Sequence, residues 1–102
     1  MQVVIANPGE APVITEIADG LESYQTVVGG WIELWAVDGP AHFICNEEGV
    51  LEGLPFNRLV TLRDGTVWKI HGPILIIGGD EDEGTFESLP DDEARFWQGR
   101  LT

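Results

Sequence analysis

The stretch Trp31-Ile32-Glu33-Leu34-Trp35-Ala36-Val37-Asp38-Gly39-Pro40-Ala41-His42-Phe43-Ile44-Cys45 decides how the chain folds. Trp31, Glu33, Trp35 and Val37 alternate with Ile32, Leu34 and Ala36, the period of two that a strand requires. The second set is wholly apolar and is expected to face inward. Asp38-Gly39 then signals a hairpin turn, slightly spoiled by Pro40. Ala41 to Cys45 returns as the partner strand, which predicts an antiparallel ladder at the middle of the sequence. Glu33, between two tryptophans, has two readings: a solvated carboxylate flanked by rings, or part of a pocket wall.

Outward toward the N-terminus, Gly29-Gly30 stops a short helix expected to begin at Asp19, with Gly29 as a left-handed cap. Asp19 and Glu22 have capping-box-like spacing, with Asp in place of Ser or Thr. Leu21, Tyr24 and Val28 fall at helical spacing and predict an apolar face laid on a sheet. A helix of about ten residues needs that burial to persist. Before it, Val3 to Ala6 and Val13 to Ile17 read as strands around the turn signal Asn7-Pro8-Gly9, with Val13, Thr15 and Ile17 on one side.

Outward toward the C-terminus, the chain drops from Cys45 into Asn46-Glu47-Glu48-Gly49, where Asn and Gly allow a reversal. Leu59-Val60-Thr61-Leu62 fits either a strand or the end of a short helix from Pro55. Asp64-Gly65 marks a second hairpin, followed by a strand from Val67 to His71. Ile74 to Ile77 is a continuous apolar run suited to a strand buried on both faces, and Gly78 to Gly84 reads as an exposed acidic loop. Ser88 is placed as the N-cap of a terminal helix, with Pro90, Asp91, Asp92 and Glu93 in or near its first turn. Ala94, Trp97 and Leu101 form that helix's apolar stripe. The order predicts one α+β domain over residues 1–102. It has a mostly antiparallel sheet of about five to seven short strands, one helix after the second strand and a C-terminal helix.

Charge narrows the function. Five Lys and Arg stand against 18 Asp and Glu in 102 residues, a formal net charge of −13. So few cations cannot line a phosphate backbone, which disfavours direct nucleic-acid binding. The acidity fits solubility, docking onto a basic partner, or mimicry of DNA by a negative face including Asp80, Glu81, Asp82, Asp91 and Asp92. One cysteine forbids an internal disulfide. No apolar run reaches the ~18 residues of a membrane span, and the N-terminus lacks a signal-peptide pattern. A soluble cytoplasmic protein is expected, and a homodimer would cover tryptophans exposed on a small sheet.

Catalytic and metal patterns are weak. Asp80, Asp82 and Asp91 echo a calcium loop, but Gly84 and Thr85 stand in the wrong places. His42 and His71 have no second ligand at a zinc spacing. His42 and Cys45 are three apart on one strand, so they point to opposite faces and make no nucleophile–base pair. No cofactor is implied. Binding remains, and the candidate ligand-binding residues are Trp31, Glu33, Asn46, Glu47, Asn57 and Arg58. The guanidinium suits a phosphate or carboxylate, the amides read polar edges, and the indole offers a stacking face. The competing structural reading pairs Arg58 with Glu47 or Glu48 and makes Asn57 a helix cap.

VGGWIE (Val28 to Glu33), CNEEG (Cys45 to Gly49) and GLPFNR (Gly53 to Arg58) together resemble the family Domain of Unknown Function 3846. Phe86-Glu87-Ser88-Leu89 and the acidic helix after it fit too, so the resemblance covers nearly the whole chain. Trp31, Trp35 and Trp68 depart from the simpler aliphatic or aromatic positions usual there. The resemblance implies a bacteriophage or mobile-element accessory protein acting in the host cytoplasm. The expectation is a non-enzymatic counter-defence protein that binds a small nucleotide-derived host signal. The alternative is an acidic protein-interaction inhibitor or DNA mimic acting on a host protein.

Overall fold

Ile74, Leu75, Ile76 and Ile77 have no solvent-accessible surface, and the rest of the fold is built on both sides of them. The structure is a computed structural model that describes residues 1–80 and 82–102. Its elements are β1 (Gln2–Ala6), β2 (Val13–Glu16), α1 (Leu21–Val28), β3 (Ile32–Asp38), β4 (Ala41–Asn46), β5 (Phe56–Thr61), β6 (Val67–His71), β7 (Ile74–Asp80), β8 (Thr85–Glu87) and α2 (Asp91–Arg100). The main sheet runs β2-β1-β7-β4-β3, with β8 added to the end of β7, and β5-β6 form a separate hairpin. Every pairing is antiparallel. The α+β class and both helix positions are as expected, and β8 is the strand beyond the expected range.

Alternation along β7 feeds two cores. Ile74 and Ile76 join Val4, Ala6 and Phe43 on one face, beneath α2 (Ala94, Trp97) and the β5-β6 hairpin (Val60, Ile70). Leu75 and Ile77 join Val3 and Ile44 on the other, beneath Tyr24 and Val28 of α1. Full burial of such a side chain is worth about 1.5–3 kcal/mol. Four together rival the whole net stability of an ordinary domain, roughly 5–15 kcal/mol. Phe43 and Trp97 meet edge-on at 4.7 Å across the first core.

The expected β3–β4 hairpin forms, with Asp38 opposite Ala41. Gly39 takes the first turn position at φ 59°, which suits a primed two-residue turn, and Pro40 occupies the second without disturbing it. The predicted inward face of β3 does not hold. β3 is an edge strand, and its register slips between Leu34 and Ala36. The bulged Trp35 and Ala36 both pack on the α2 side, Ile32 packs on the α1 side, and Leu34 is 48% exposed.

Three local expectations are corrected. Asp19 does not cap α1, which begins at Leu21 after Gly20; the Tyr24 hydroxyl donates to its carboxylate at 2.6 Å instead. Burial first, and then that carboxylate, hold the Tyr24 phenol above its ordinary pKa. Ser88 does not cap α2; its Oγ accepts the Gln2 amide at 3.0 Å, and Pro90 stands at the cap. Gly78 and Gly79 belong to β7, paired with Glu87 and Phe86, rather than to a loop. A Cβ on Gly78 would collide with the Ser88 carbonyl oxygen, so this close crossing requires glycine. Leu59 to Thr61, ambiguous in sequence, is strand.

Candidate functional site

The polar stretch from Cys45 to Arg58 divides into two regions with different chemistry. Its first half borders a groove. Asn46 is 4% exposed, its Oδ1 accepts the Glu48 amide at 2.8 Å, and its Nδ2 donates to the Val28 carbonyl at 3.3 Å. This Asx turn ties the loop to the end of α1. It leaves Glu47 and Glu48 in solvent, followed by Val50 and Leu51 at 71% and 87% exposure. Between this loop, the Glu33–Trp35–Cys45 side of β3-β4 and strand β6 lies an open depression of about 220 Å³.

The groove wall is aromatic and acidic. The Trp35 and Trp68 rings stack tilted with centroids 5.3 Å apart. Among the described residues, the indole N–H groups of Trp35 and of Trp97 in the core are both buried without a hydrogen-bond partner. Glu33, Glu47 and Glu48 border the groove, and none makes a salt bridge among the described residues. Lys69 turns its ammonium over the Phe56 ring, 5.7 Å from the centroid. His71 Nδ1 lies 3.2 Å from the Leu54 carbonyl, and its ring meets Phe56 edge-on. Burial first, and then the neighbouring Glu33 charge, push the Cys45 thiol from 9.0 to about 11. Although Cys45 and His71 share the groove, that shift is opposite to the one that activates a thiol nucleophile.

The second half of the stretch is a clasp. Asn57 Nδ2 donates to the carbonyls of Ala6 at 2.7 Å and Gly72 at 2.8 Å. Arg58 Nε donates to Asn57 Oδ1 at 2.6 Å, and Nη2 donates to the carbonyls of Asn7 at 3.1 Å and Glu10 at 2.6 Å. Nη1 donates to the Leu101 carbonyl. The guanidinium therefore ties β5 to the β1–β2 turn and to the end of α2. Neither Glu47 nor Glu48 pairs with it, and Asn57 lies within β5, so the expected ion pair and helix cap are both corrected.

Of the six candidate residues, Glu33, Asn46 and Glu47 come together at the groove, while Trp31, Asn57 and Arg58 do not line it. Trp31 is 67% exposed and reaches the loop only through its carbonyl, which accepts the Glu47 amide at 2.8 Å. Trp35, Trp68 and Lys69 were missing from that set. The period of two already placed Trp35 beside Glu33, but Trp68 comes from a hairpin whose docking no local pattern gives. His42 packs against Phe86 on the sheet face away from Cys45. Among the described residues no three His, Cys, Asp or Glu side chains converge on a metal position, and no helix is long and apolar enough to cross a membrane. Of the proposed DNA-mimicking carboxylates, Asp80 and Asp82 lie at the β7–β8 turn and Asp91 and Asp92 open α2; Glu81 lies outside the described residues.

The chain belongs to the family Domain of unknown function (DUF3846), whose family model matches residues 1–102. No curated protein and no solved structure matches it.

Proposed function

We propose, from membership in a family with no assigned activity, that this chain is a non-enzymatic binding protein that inhibits a basic protein partner. One observation carries the reading: Glu33, Glu47 and Glu48 border the aromatic groove without cationic partners among the described residues, while the arginine expected there is bound to backbone carbonyls. An overall charge of −13 would steer a basic surface toward it. The proposed setting, taken from the resemblance to phage and mobile-element proteins, is counter-defence in the host cytoplasm. Pull-down from bacterial lysate at low and high salt tests this. A basic protein should be retained at low salt, released by high salt, and lost when Glu33, Glu47 and Glu48 are all changed to Gln. Capture that ignores those three substitutions would defeat it.

The paired Trp35 and Trp68 rings favour a second reading, in which a nucleotide-derived signal stacks its base on the wall. The volume weighs against it. About 220 Å³ falls short of the ≈ 300–1,000 Å³ usual for a pocket that engulfs a small ligand, and no arginine is among the described residues that line the groove. Calorimetry with cyclic nucleotides and ADP-ribose derivatives decides it: no heat of binding from folded protein removes this reading.

A further inference from the structure

The groove follows a strand edge rather than a strand face. Its lining includes four consecutive residues of β6, Trp68, Lys69, Ile70 and His71. Side chains of successive strand residues point to opposite faces, so all four can border one groove only along their backbone. β6 has a single ladder partner, β5, leaving its other edge without one among the described residues.

The hydrogen bonds show which backbone groups are free. Leu62 N–H donates to the Thr66 carbonyl at 2.8 Å, and Gly72 N–H donates to the Pro55 carbonyl at 2.8 Å. Both bonds place even-numbered residues of this strand toward β5. Backbone polarity alternates along a strand, so Trp68 and Ile70 also face β5. Val67, Lys69 and His71 direct their N–H and C=O groups away from it. The only register slip of the hairpin lies in β5, between Phe56 and Arg58, and leaves the parity of β6 intact. The His71 carbonyl is approached by Gly49, whose added Cβ would stand 3.0 Å from it. Val67 and Lys69 remain as a pair of edge positions whose outward backbone groups have no hydrogen-bond partner among the described residues.

Building on the basic-partner reading, we infer that an extended, lysine- or arginine-bearing segment of the partner adds as a third strand to the free edge of β6. Strand addition takes its affinity from main-chain hydrogen bonds and its specificity from alternate side chains. The chemistry of the groove sets those side chains. Inward-facing cations would meet Glu33, Glu47 and Glu48, and Trp35 and Trp68 would flank their stems. Lys69 does not oppose the cations, because its ammonium is drawn over Phe56 on the hairpin's outer face. A second copy is a poorer occupant: antiparallel β6–β6 pairing about Lys69 would set two lysines opposite each other and unite two chains of charge −13.

The test uses a ten-residue peptide alternating lysine with threonine, and a counterpart alternating glutamate with threonine. Binding is read by tryptophan fluorescence and site by amide hydrogen exchange. The lysine peptide should bind, slow exchange at Val67 and Lys69 at least about tenfold, as new ladder hydrogen bonds would, and leave Trp68 and Ile70 unchanged. The glutamate peptide should not bind. Lys69→Pro removes an amide that faces away from β5, so it should keep the fold and abolish binding. Binding without protection at Val67 and Lys69, or normal binding by a folded Lys69→Pro variant, overturns strand addition while leaving the acidic-inhibitor reading standing. No binding of the lysine peptide, together with no salt-released basic protein from lysate, overturns both. Concentration-dependent protection of Val67 and Lys69 without peptide overturns the proposal in favour of self-association.

Discussion

The groove and the Asn57–Arg58 clasp draw on the same fourteen-residue polar stretch, Cys45 to Arg58, yet differ in how their polar atoms are used. In the clasp, Asn57 and Arg58 donate to five backbone carbonyls, those of Ala6, Gly72, Leu101, Asn7 and Glu10. At the groove, the carboxylates of Glu33, Glu47 and Glu48 make no salt bridge among the described residues. Polar residues gathered in one segment are therefore no guide to a site by themselves. The useful quantity is how many hydrogen bonds the fold leaves unmade.

The sharpest way to break this contrast is Arg58→Ala. It should lower stability by roughly 2–4 kcal/mol, because charge-assisted bonds to carbonyls are lost together, and lower Tm by roughly 10–25 °C. Adding Glu47→Gln and Glu48→Gln should restore nothing, since neither carboxylate contacts the guanidinium. Thermal melts of both variants check this; recovery in the combined variant would mean the clasp is an ion pair after all.

Asn57→Asp is nearly isosteric but turns a two-hydrogen donor into an acceptor facing two carbonyls. A cost of about 1–3 kcal/mol is expected in urea unfolding, with an unchanged m-value. If Asn57→Asp is as stable as the parent at neutral pH, the clasp assignment is wrong.

The Cys45 thiol probes the groove through pH. Its pKa stands near 11 in the folded protein against an ordinary 9.0. The folded state keeps the proton longer, so stability is lost as pH rises through the window from about 9 to about 11. Alkylation by iodoacetamide should accelerate with an inflection near 11, and Glu33→Gln should move it down, since that carboxylate is the second cause after burial. An inflection at the ordinary value would show a thiol in open water.

The smallest stability effect belongs to the groove itself. Glu33→Gln, Glu47→Gln and Glu48→Gln together should shift stability by no more than about 0.5 kcal/mol, as exposed substitutions without partners do. The same variant should lose salt-sensitive capture of a basic protein. A large destabilisation would mean these carboxylates support the fold, and the contrast between the regions would collapse.

Much of the fold was legible because its signals are local. Asp38-Gly39 and Asp64-Gly65 mark real hairpins, and Ile74 to Ile77 is the doubly buried strand its continuous apolarity indicates. The failures share a cause. Asp19 and Ser88 have side chains that can cap a helix, but Tyr24 and the Gln2 amide claim them first. Gly78-Gly79 looks like a loop signal, yet glycine is needed there because Ser88 and His42 crowd the strand.

By itself the sequence determined most of the element order, the hairpin turns, the double burial of β7, the apolar stripe of α2 and the acidic character, since each depends on neighbours a few residues apart. It also brought Glu33 and Trp35 to one wall, through the period of two. Only the tertiary structure decided that Trp68 meets Trp35, that β6 leaves one edge without a ladder partner among the described residues, and that Arg58 donates to distant backbone carbonyls. Those carbonyls belong to residues 43 to 51 positions away. Strand periodicity says which face a side chain occupies, but what lies over that face is set by the long-range closure of the sheet.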